Sequence, residues 1–248
     1  PASPSSKSSR CRGPEMNPAA SRLAPHGFFI TGTDTGVGKT LVACALLHAF
    51  ARTGRRVIGM KPVAAGAARS AAGLVNADAA QLRAASSIKA EWALVNPYCF
   101  EPAIAPHIAA AQHGMKIDLK RIAEAYARLV QMADTVIVEG AGGFCVPLND
   151  HEDSADLARL LGLPVILVVG VRLGCLNHAL LTAQAIRARG LVFKGWVANR
   201  IDPGMPVAPQ NISALSERLG APLLGEIEFA AAPECAHAGS LLDLSQLV

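Results

Sequence analysis

Two lysines, two carboxylates and one threonine are the residues through which this sequence could do chemistry. Lys39 and Thr40 end the stretch "TGTDTGVGKT", Thr31 to Thr40. A glycine-rich turn followed by lysine and a hydroxyl residue, set between a strand and a helix, is built to cradle phosphates. Gly36 and Gly38 let the backbone N–H groups of Thr35, Gly36, Val37 and Gly38 turn inward, where side chains would block a close approach. The helix opening near Lys39 adds its partial positive charge. Lys39 supplies a full charge to the β- and γ-phosphates of a nucleotide, and Thr40 offers a hydroxyl to Mg²⁺. Thr33 stands where the strict spacing has glycine. Gly32 is therefore expected to take the strained backbone position, with Thr33 at negative φ.

Glu139 follows the apolar run Val136–Val138 and precedes "GAGG". A carboxylate at the mouth of a buried strand, beside residues without bulk, is well placed for a metal ion. Asp78, in "VNADAAQL", is either a second metal carboxylate or a helix N-terminal charge. Lys61 ends the apolar run before "KPV". Pro62 biases Lys61 toward extended backbone, so its ammonium is held where a fixed charge could stabilise phosphoryl transfer. His107 and His178 have no readable carboxylate partner and read as structural; Phe193 and Trp196 read as core.

These residues need a scaffold that brings strand ends together. Apolar runs at Gly27–Thr31, Arg56–Met60, Thr135–Gly140, Pro164–Gly170, Val192–Asn199 and Pro222–Ile227 predict strands. Helical spacing predicts helices at Lys39–Arg52, Ala77–Ser86, Ile117–Gln131, Asn177–Arg189 and Pro209–Leu219. Strands apolar on both faces, alternating with helices, imply an α/β fold of three layers: a mostly parallel sheet with helices on both faces, of the P-loop NTPase type. Ligands in such folds sit beyond the carboxyl ends of the strands. Ala64–Met115 is the least regular segment and is expected to include a long loop over one end of the sheet.

The head, residues 1–26, is rich in Ser, Pro and Ala and reads as disordered. Met16 is a candidate start, which would make the preceding residues non-native. Residues 27–248 read as a single domain. The chain carries 23 Lys and Arg against 19 Asp and Glu, but the head holds Lys7, Arg10, Arg12 and Arg22 against Glu15 alone. The folded part is thus nearly neutral, which argues against a nucleic-acid partner. The longest apolar run, Leu163–Val171, is too short to span a membrane. Six cysteines without C-x-x-C or zinc spacing read as reduced thiols of a cytoplasmic protein.

The phosphate loop, with its five-residue gap between Gly32 and Gly38, resembles that of the dethiobiotin synthetases. "KPVAAG", "VNPY", "VEGAGG", "PVILVVGVRLGCLNHALLT", "GWVAN" and "PLLGEI" resemble the family's remaining blocks in order, from about Gly27 to Ile227. The resemblance implies an ATP-dependent cyclo-ligase of biotin synthesis that uses Mg²⁺ and acts on 7,8-diaminopelargonate and CO₂. It implies phosphate and metal roles for Lys39 and Thr40 and metal roles for Asp78 and Glu139. Lys61 would stabilise carbamate and anhydride oxygens. Asn199 would read adenine, and Glu226 would lie near the nucleoside. Ala65, Gly142 and Gly143 would border the substrate; Ala65 stands where the family often has Ser. Glu228 replaces the proline usual after "GEI". The turn Gly174, Cys175, Leu176 and Asn177 would receive the substrate carboxylate from a partner subunit, which implies a homodimer. A ParA/MinD-like switch fits less well, because Asp34 occupies the place of that group's signature lysine.

Overall fold

The computed structural model describes residues 27–71 and 73–247. The expectations for residues 1–26 lie outside the described residues. In chain order the elements are β1 (Gly27–Gly32), α1 (Lys39–Arg52), β2 (Val57–Met60), β3 (Val63–Ala65), β4 (Ala68–Ser70), β5 (Gly73–Val75), α2 (Ala77–Ala85), α3 (Trp92–Val95), β6 (Tyr98–Phe100), α4 (Pro106–Gln112), α5 (Leu119–Met132), β7 (Thr135–Glu139), α6 (Ser154–Leu160), β8 (Val165–Val171), α7 (Cys175–Ala188), β9 (Phe193–Arg200), α8 (Ala208–Arg218), β10 (Leu223–Ile227) and α9 (Cys235–Ser240).

Among the described residues, six strands form one sheet in the order β10-β9-β8-β1-β7-β2, and every pairing is parallel. The expected fold class is thus what the chain adopts. The sheet is apolar on both faces because alternate side chains of each strand enter different cores. Phe28 and Ile30 of β1 join Ile137 of β7 and Ile166 and Val168 of β8 under α1, α2 and α9. Phe29 joins Val136 and Val138 on the opposite face, under α3, α5 and α6. Leu167, Val169 and Trp196 pack under α7 and α8. Trp196 is core, as expected; Phe193 is only partly buried at the margin.

Helix starts follow from local chemistry. The Asn76 side chain accepts hydrogen bonds from the N–H groups of Asp78 and Ala79 and so caps α2. Asp118 caps α5, and Asp153 with Asp156 forms a reciprocal capping box on α6. The helices α1 and α7 instead begin after glycines in the left-handed region, Gly38 and Gly174, so both open with N–H groups uncovered by a side chain.

The segment expected to hold a long loop is more structured than its sequence suggests. It contains the parallel pair β3-β6, the hairpin β4-β5 and the short helices α3 and α4. Elements of three to seven residues are too short to display a period; α6 and α9 escaped the pattern for the same reason. Among the described residues no helix is long and apolar enough to cross a membrane.

The β2 strand, which leads into Lys61, is seated by close packing. A Cβ at Gly59 would lie 2.8 Å from Leu82 Cβ and 2.9 Å from Leu47 Cδ1. Gly59→Ala is expected to destabilise the chain by about 1–3 kcal/mol, the usual cost of overpacking. A urea denaturation midpoint equal to wild type would contradict this packing.

Candidate active site

A cavity of about 840 Å³ opens at the carboxyl edge of the sheet. It is lined by the phosphate loop, by Lys61 beyond β2, by Glu139 at the end of β7 and by Asp78 in the first turn of α2. Ala65, Gly142 and Gly143 also line it, and Ala103, Ile104 and Pro106 add an apolar wall. Its size is ordinary for a small-molecule site.

The phosphate loop is preorganised by glycine. Gly36 and Gly38 hold φ of 74° and 90°, a region where a side chain is strained. Gly32 does not take the left-handed position expected of it, and Thr33 has negative φ. Gly32 is needed for space: a Cβ there would lie 2.6 Å from Val37 Cγ2 and 3.0 Å from the Asp34 carbonyl oxygen. Thr33 N–H still bonds Val168 O at 3.0 Å, so the sheet bonding runs one residue past the end of β1. Val37 is buried beneath the loop.

Four charged groups meet in the cavity. Lys61 Nζ lies 2.6 Å from Glu139 Oε1 and 3.0 Å from Asp78 Oδ2. The Thr40 hydroxyl donates to the same Glu139 Oε1 at 2.9 Å. Lys61 and Glu139 are buried, while Asp78 is open to the cavity. Burial opposes the Lys61 ammonium, but Glu139 and Asp78 outweigh it and raise its pKa. Burial also opposes the Asp78 carboxylate, and Lys61 outweighs it, holding that group below the usual range. For Lys39 the carboxylates are outweighed. Burial first, and the Lys61 charge second, lower its pKa to about 8. Its Nζ rests on the Asp34 carbonyl oxygen at 3.0 Å, a neutral partner that a phosphate can replace.

The resemblance implies a divalent cation, and the donors present suit one. Glu139 Oε2 is buried without a hydrogen-bond partner, an unusual state for a charged oxygen. It stands with Asp78 and the Thr40 hydroxyl, an all-oxygen set of the kind Mg²⁺ prefers.

Other expected site residues do not line this cavity. Asn199 is buried, and its Nδ2 donates to Val37 O at 2.9 Å, bracing the phosphate loop from β9. Glu226 pairs with Arg200 at 2.5 Å, and Glu228 joins the same guanidinium at 3.2 Å. The turn Gly174–Asn177 opens α7 on the same rim, next to Leu173, which is 90% exposed. The sequence reading missed Asp34 and Arg172, which form a 2.6 Å ion pair between the phosphate loop and the β8–α7 turn. Both lay inside quoted blocks, but nothing in their spacing announces the pair. Asn96 was missed likewise; its Nδ2 donates to the Lys61 carbonyl at 2.6 Å. His178 is exposed, as a surface helix residue should be. His107 Nδ1 is buried without a partner.

A family model described as an AAA domain matches residues 26–233. The ATP-dependent dethiobiotin synthetase BioD of Aromatoleum aromaticum is 58% identical over 220 residues, covering 89% of this chain and 98% of that protein. Its counterpart of the same name in Nitrosospira multiformis is 56% identical over 221 residues, covering 89% and 96%. Among solved structures, the MinC:MinD cell division protein complex of Aquifex aeolicus is similar with a TM-score of 0.52 at 15% identity, over 83% of this chain and 82% of that one. A ParA family ATPase from Chlorobium tepidum gives 0.51 at 15% identity, over 84% and 86%. At such identity the two structures share the fold alone.

A Cβ at Gly38 would fall 2.1 Å from Asn199 Nδ2, on a backbone already at positive φ. Gly38→Ala is expected to weaken ATP binding by about ten- to a hundredfold, since such strain costs roughly 1–3 kcal/mol. Calorimetric titration on a variant with wild-type circular dichroism measures this. Undiminished affinity would mean that the loop shape does not hold the phosphates.

Proposed function

Because this chain belongs to the ATP-dependent dethiobiotin synthetase family, we propose that it carboxylates 7,8-diaminopelargonate with CO₂ and closes the ureido ring at the expense of ATP. One substrate amine adds CO₂ and loses a proton, giving a carbamate. A carbamate oxygen attacks the γ-phosphorus and ADP leaves, giving a carbamic–phosphoric anhydride. The second amine attacks the anhydride carbon, inorganic phosphate leaves, and the five-membered ring of dethiobiotin is complete. The substrate supplies both nucleophiles, so the protein has to position groups and neutralise charge.

The observation that carries this reading is the meeting of Lys39, Thr40, Lys61, Asp78 and Glu139 at one cavity. No Ser, Cys or His stands among the described residues lining it, in keeping with a reaction that needs no protein nucleophile. Lys39 and the loop N–H groups hold the β- and γ-phosphates. Lys61 neutralises the carbamate and anhydride oxygens. Thr40, Asp78 and Glu139 would hold Mg²⁺, which when bound supplies charge to the phosphate oxygens. The apolar wall of Val63, Ala103, Ile104 and Pro106 suits an aliphatic chain. Ala65, Gly142 and Gly143 leave room for the two amines, and Ala65 offers no hydroxyl to them. Asn199 and Glu226 would serve the base, and the Arg200–Glu226–Glu228 cluster ties the end of β10 to β9.

The reading extends to a homodimer. The α7 N-terminus, with its exposed turn Gly174–Asn177, suits the carboxylate of a substrate bound to a second copy, and the exposed Leu173 suits the contact around it. The free thiols of Cys44, Cys99, Cys145, Cys175 and Cys235 are in keeping with a cytoplasmic location.

The test is to incubate the protein with Mg²⁺, ATP, bicarbonate and the diamine and to follow ADP and the cyclic urea together. Equimolar formation of both supports the reading; ATP loss indifferent to the diamine overturns it. Lys61→Ala is expected to lower turnover by about two to three decades, the effect of losing one preorganised charge, with ATP affinity largely kept. Turnover at the wild-type level would take Lys61 out of the reaction. Thr40→Val is expected to weaken Mg²⁺–ATP binding, and an equal Mg²⁺ requirement in the variant would deny Thr40 its role.

A further inference from the structure

The ammonium of Lys61 and the cation read into this site want the same two carboxylates, with Glu139 Oε2 the buried oxygen left without a partner. Lys61 Nζ contacts Glu139 Oε1 and Asp78 Oδ2, and Thr40 donates to that same Glu139 oxygen. Every group read as a metal ligand is therefore engaged with Lys61 or hydrogen-bonded to an oxygen it holds. A divalent cation bound directly to both carboxylates would stand within a few ångströms of this ammonium, a repulsive arrangement at its buried Lys61–Glu139 side. Yet in the absence of a cation the two carboxylates need a positive charge between them.

The main chain of Lys61 is fixed. Its N–H donates to Val95 O at 2.8 Å, and its carbonyl accepts from Asn96 Nδ2 at 2.6 Å. Pro62 follows. Only the four-carbon stem is free to swing, and the open side of the site is the 840 Å³ cavity that Lys61 itself lines.

We propose that Lys61 is the internal counter-ion of the metal site. Its ammonium holds Glu139 and Asp78 together in the ligand-free protein, and an arriving divalent cation displaces it into the cavity, toward the reacting oxygens. One residue thus serves two anion sets in turn, and the metal decides which. A chain without metal keeps Lys61 sequestered and cannot offer its charge to a carbamate. This rests on the reading that Thr40, Asp78 and Glu139 hold a divalent cation, and it adds an order of events to that reading.

The test uses Mn²⁺ alone, without nucleotide or diamine, on the full chain, with free Mn²⁺ followed by electron paramagnetic resonance. Lys61→Met, which keeps the stem and removes the charge, is expected to bind Mn²⁺ about tenfold more tightly or better, because a competing cation is gone. Lys61→Arg, which keeps the charge, is expected to show no such gain. Equal or weaker binding by Lys61→Met overturns the proposal, and so does a failure of both chains to bind at millimolar Mn²⁺. A second measurement does not depend on that variant folding. In wild-type protein labelled at lysine ¹³Cε, the Lys61 resonance, identified by its loss in Lys61→Arg, is expected to shift in step with Mg²⁺ saturation. A resonance that stays fixed while Mg²⁺ saturates overturns the displacement. If Mn²⁺ binds wild type and Lys61→Met alike and the wild type still makes the cyclic urea, the inference alone fails. If ADP and cyclic urea never appear together, the functional reading fails with it.

Discussion

The constraint on which this structure depends is a buried ammonium that cannot stand alone. Lys61 and Glu139 are both removed from water, and leaving either unpaired in such a place costs several kcal/mol. Each is tolerable only beside the other. Lys61 follows β2 and Glu139 ends β7, so the two strands must pair in the register that aligns Met60 with Val138. A slip of one residue would turn every side chain of β2 to the other face and part the charges. Asp78 brings α2 into the same requirement, and the Asn76 cap, whose Nδ2 also reaches Ala65 O at 3.2 Å, sets where α2 begins. The apolar sheet provides the platform; the charges at its edge discriminate among ways of assembling it.

A second layer of polar contacts connects the phosphate loop to the strands around it. Asn199 reaches across from β9 to Val37 O, and Arg172 reaches from the end of β8 to Asp34. Asp34 also orders its own turn, because its Oδ1 accepts from Thr35 N at 2.7 Å. The loop is thus gripped from two strands on one side of β1, while the charged cluster beyond β7 and β2 faces it from the other. Movement in any of these loops is felt at the phosphate seat.

The large elements were legible because each obeys one strong rule. The six sheet strands are runs of apolar residues bounded by turn formers, and α5 buries one helical stripe, Leu119, Ile122, Ala125, Tyr126 and Leu129. The cavity residues at strand ends were legible from chemistry, since a lysine or glutamate directly after four buried positions has few structural reasons to be there. What stayed hidden depends on distant parts of the chain. Gly32 was read for its backbone freedom, yet it is required by the volume of Val37. The strands β3 and β6 each span three residues, and only their pairing makes them strands. The ion pairs Asp34–Arg172 and Arg200–Glu228 join residues 138 and 28 positions apart, and no local pattern selects one arginine over another. The roles expected of Asn199, Glu226 and the α7 turn rest on the family resemblance, because no local pattern in the sequence assigns them.

The position of β1 at the heart of the sheet has a consequence for how the chain comes to be folded. It precedes every other described strand in sequence, yet its neighbours are β7 and β8, with Gly27 facing Val136 and Phe29 facing Val165. Both edges of this very hydrophobic strand stay unsatisfied until more than a hundred further residues have emerged. Closing such long loops early is entropically costly, and high contact order slows collapse to the native topology. Synthesis therefore passes through a stage in which "GFFIT" has no legitimate mate, the kind of segment that invites aggregation and holdase chaperones. The nucleotide loop that follows it acquires its shape only near the end of translation.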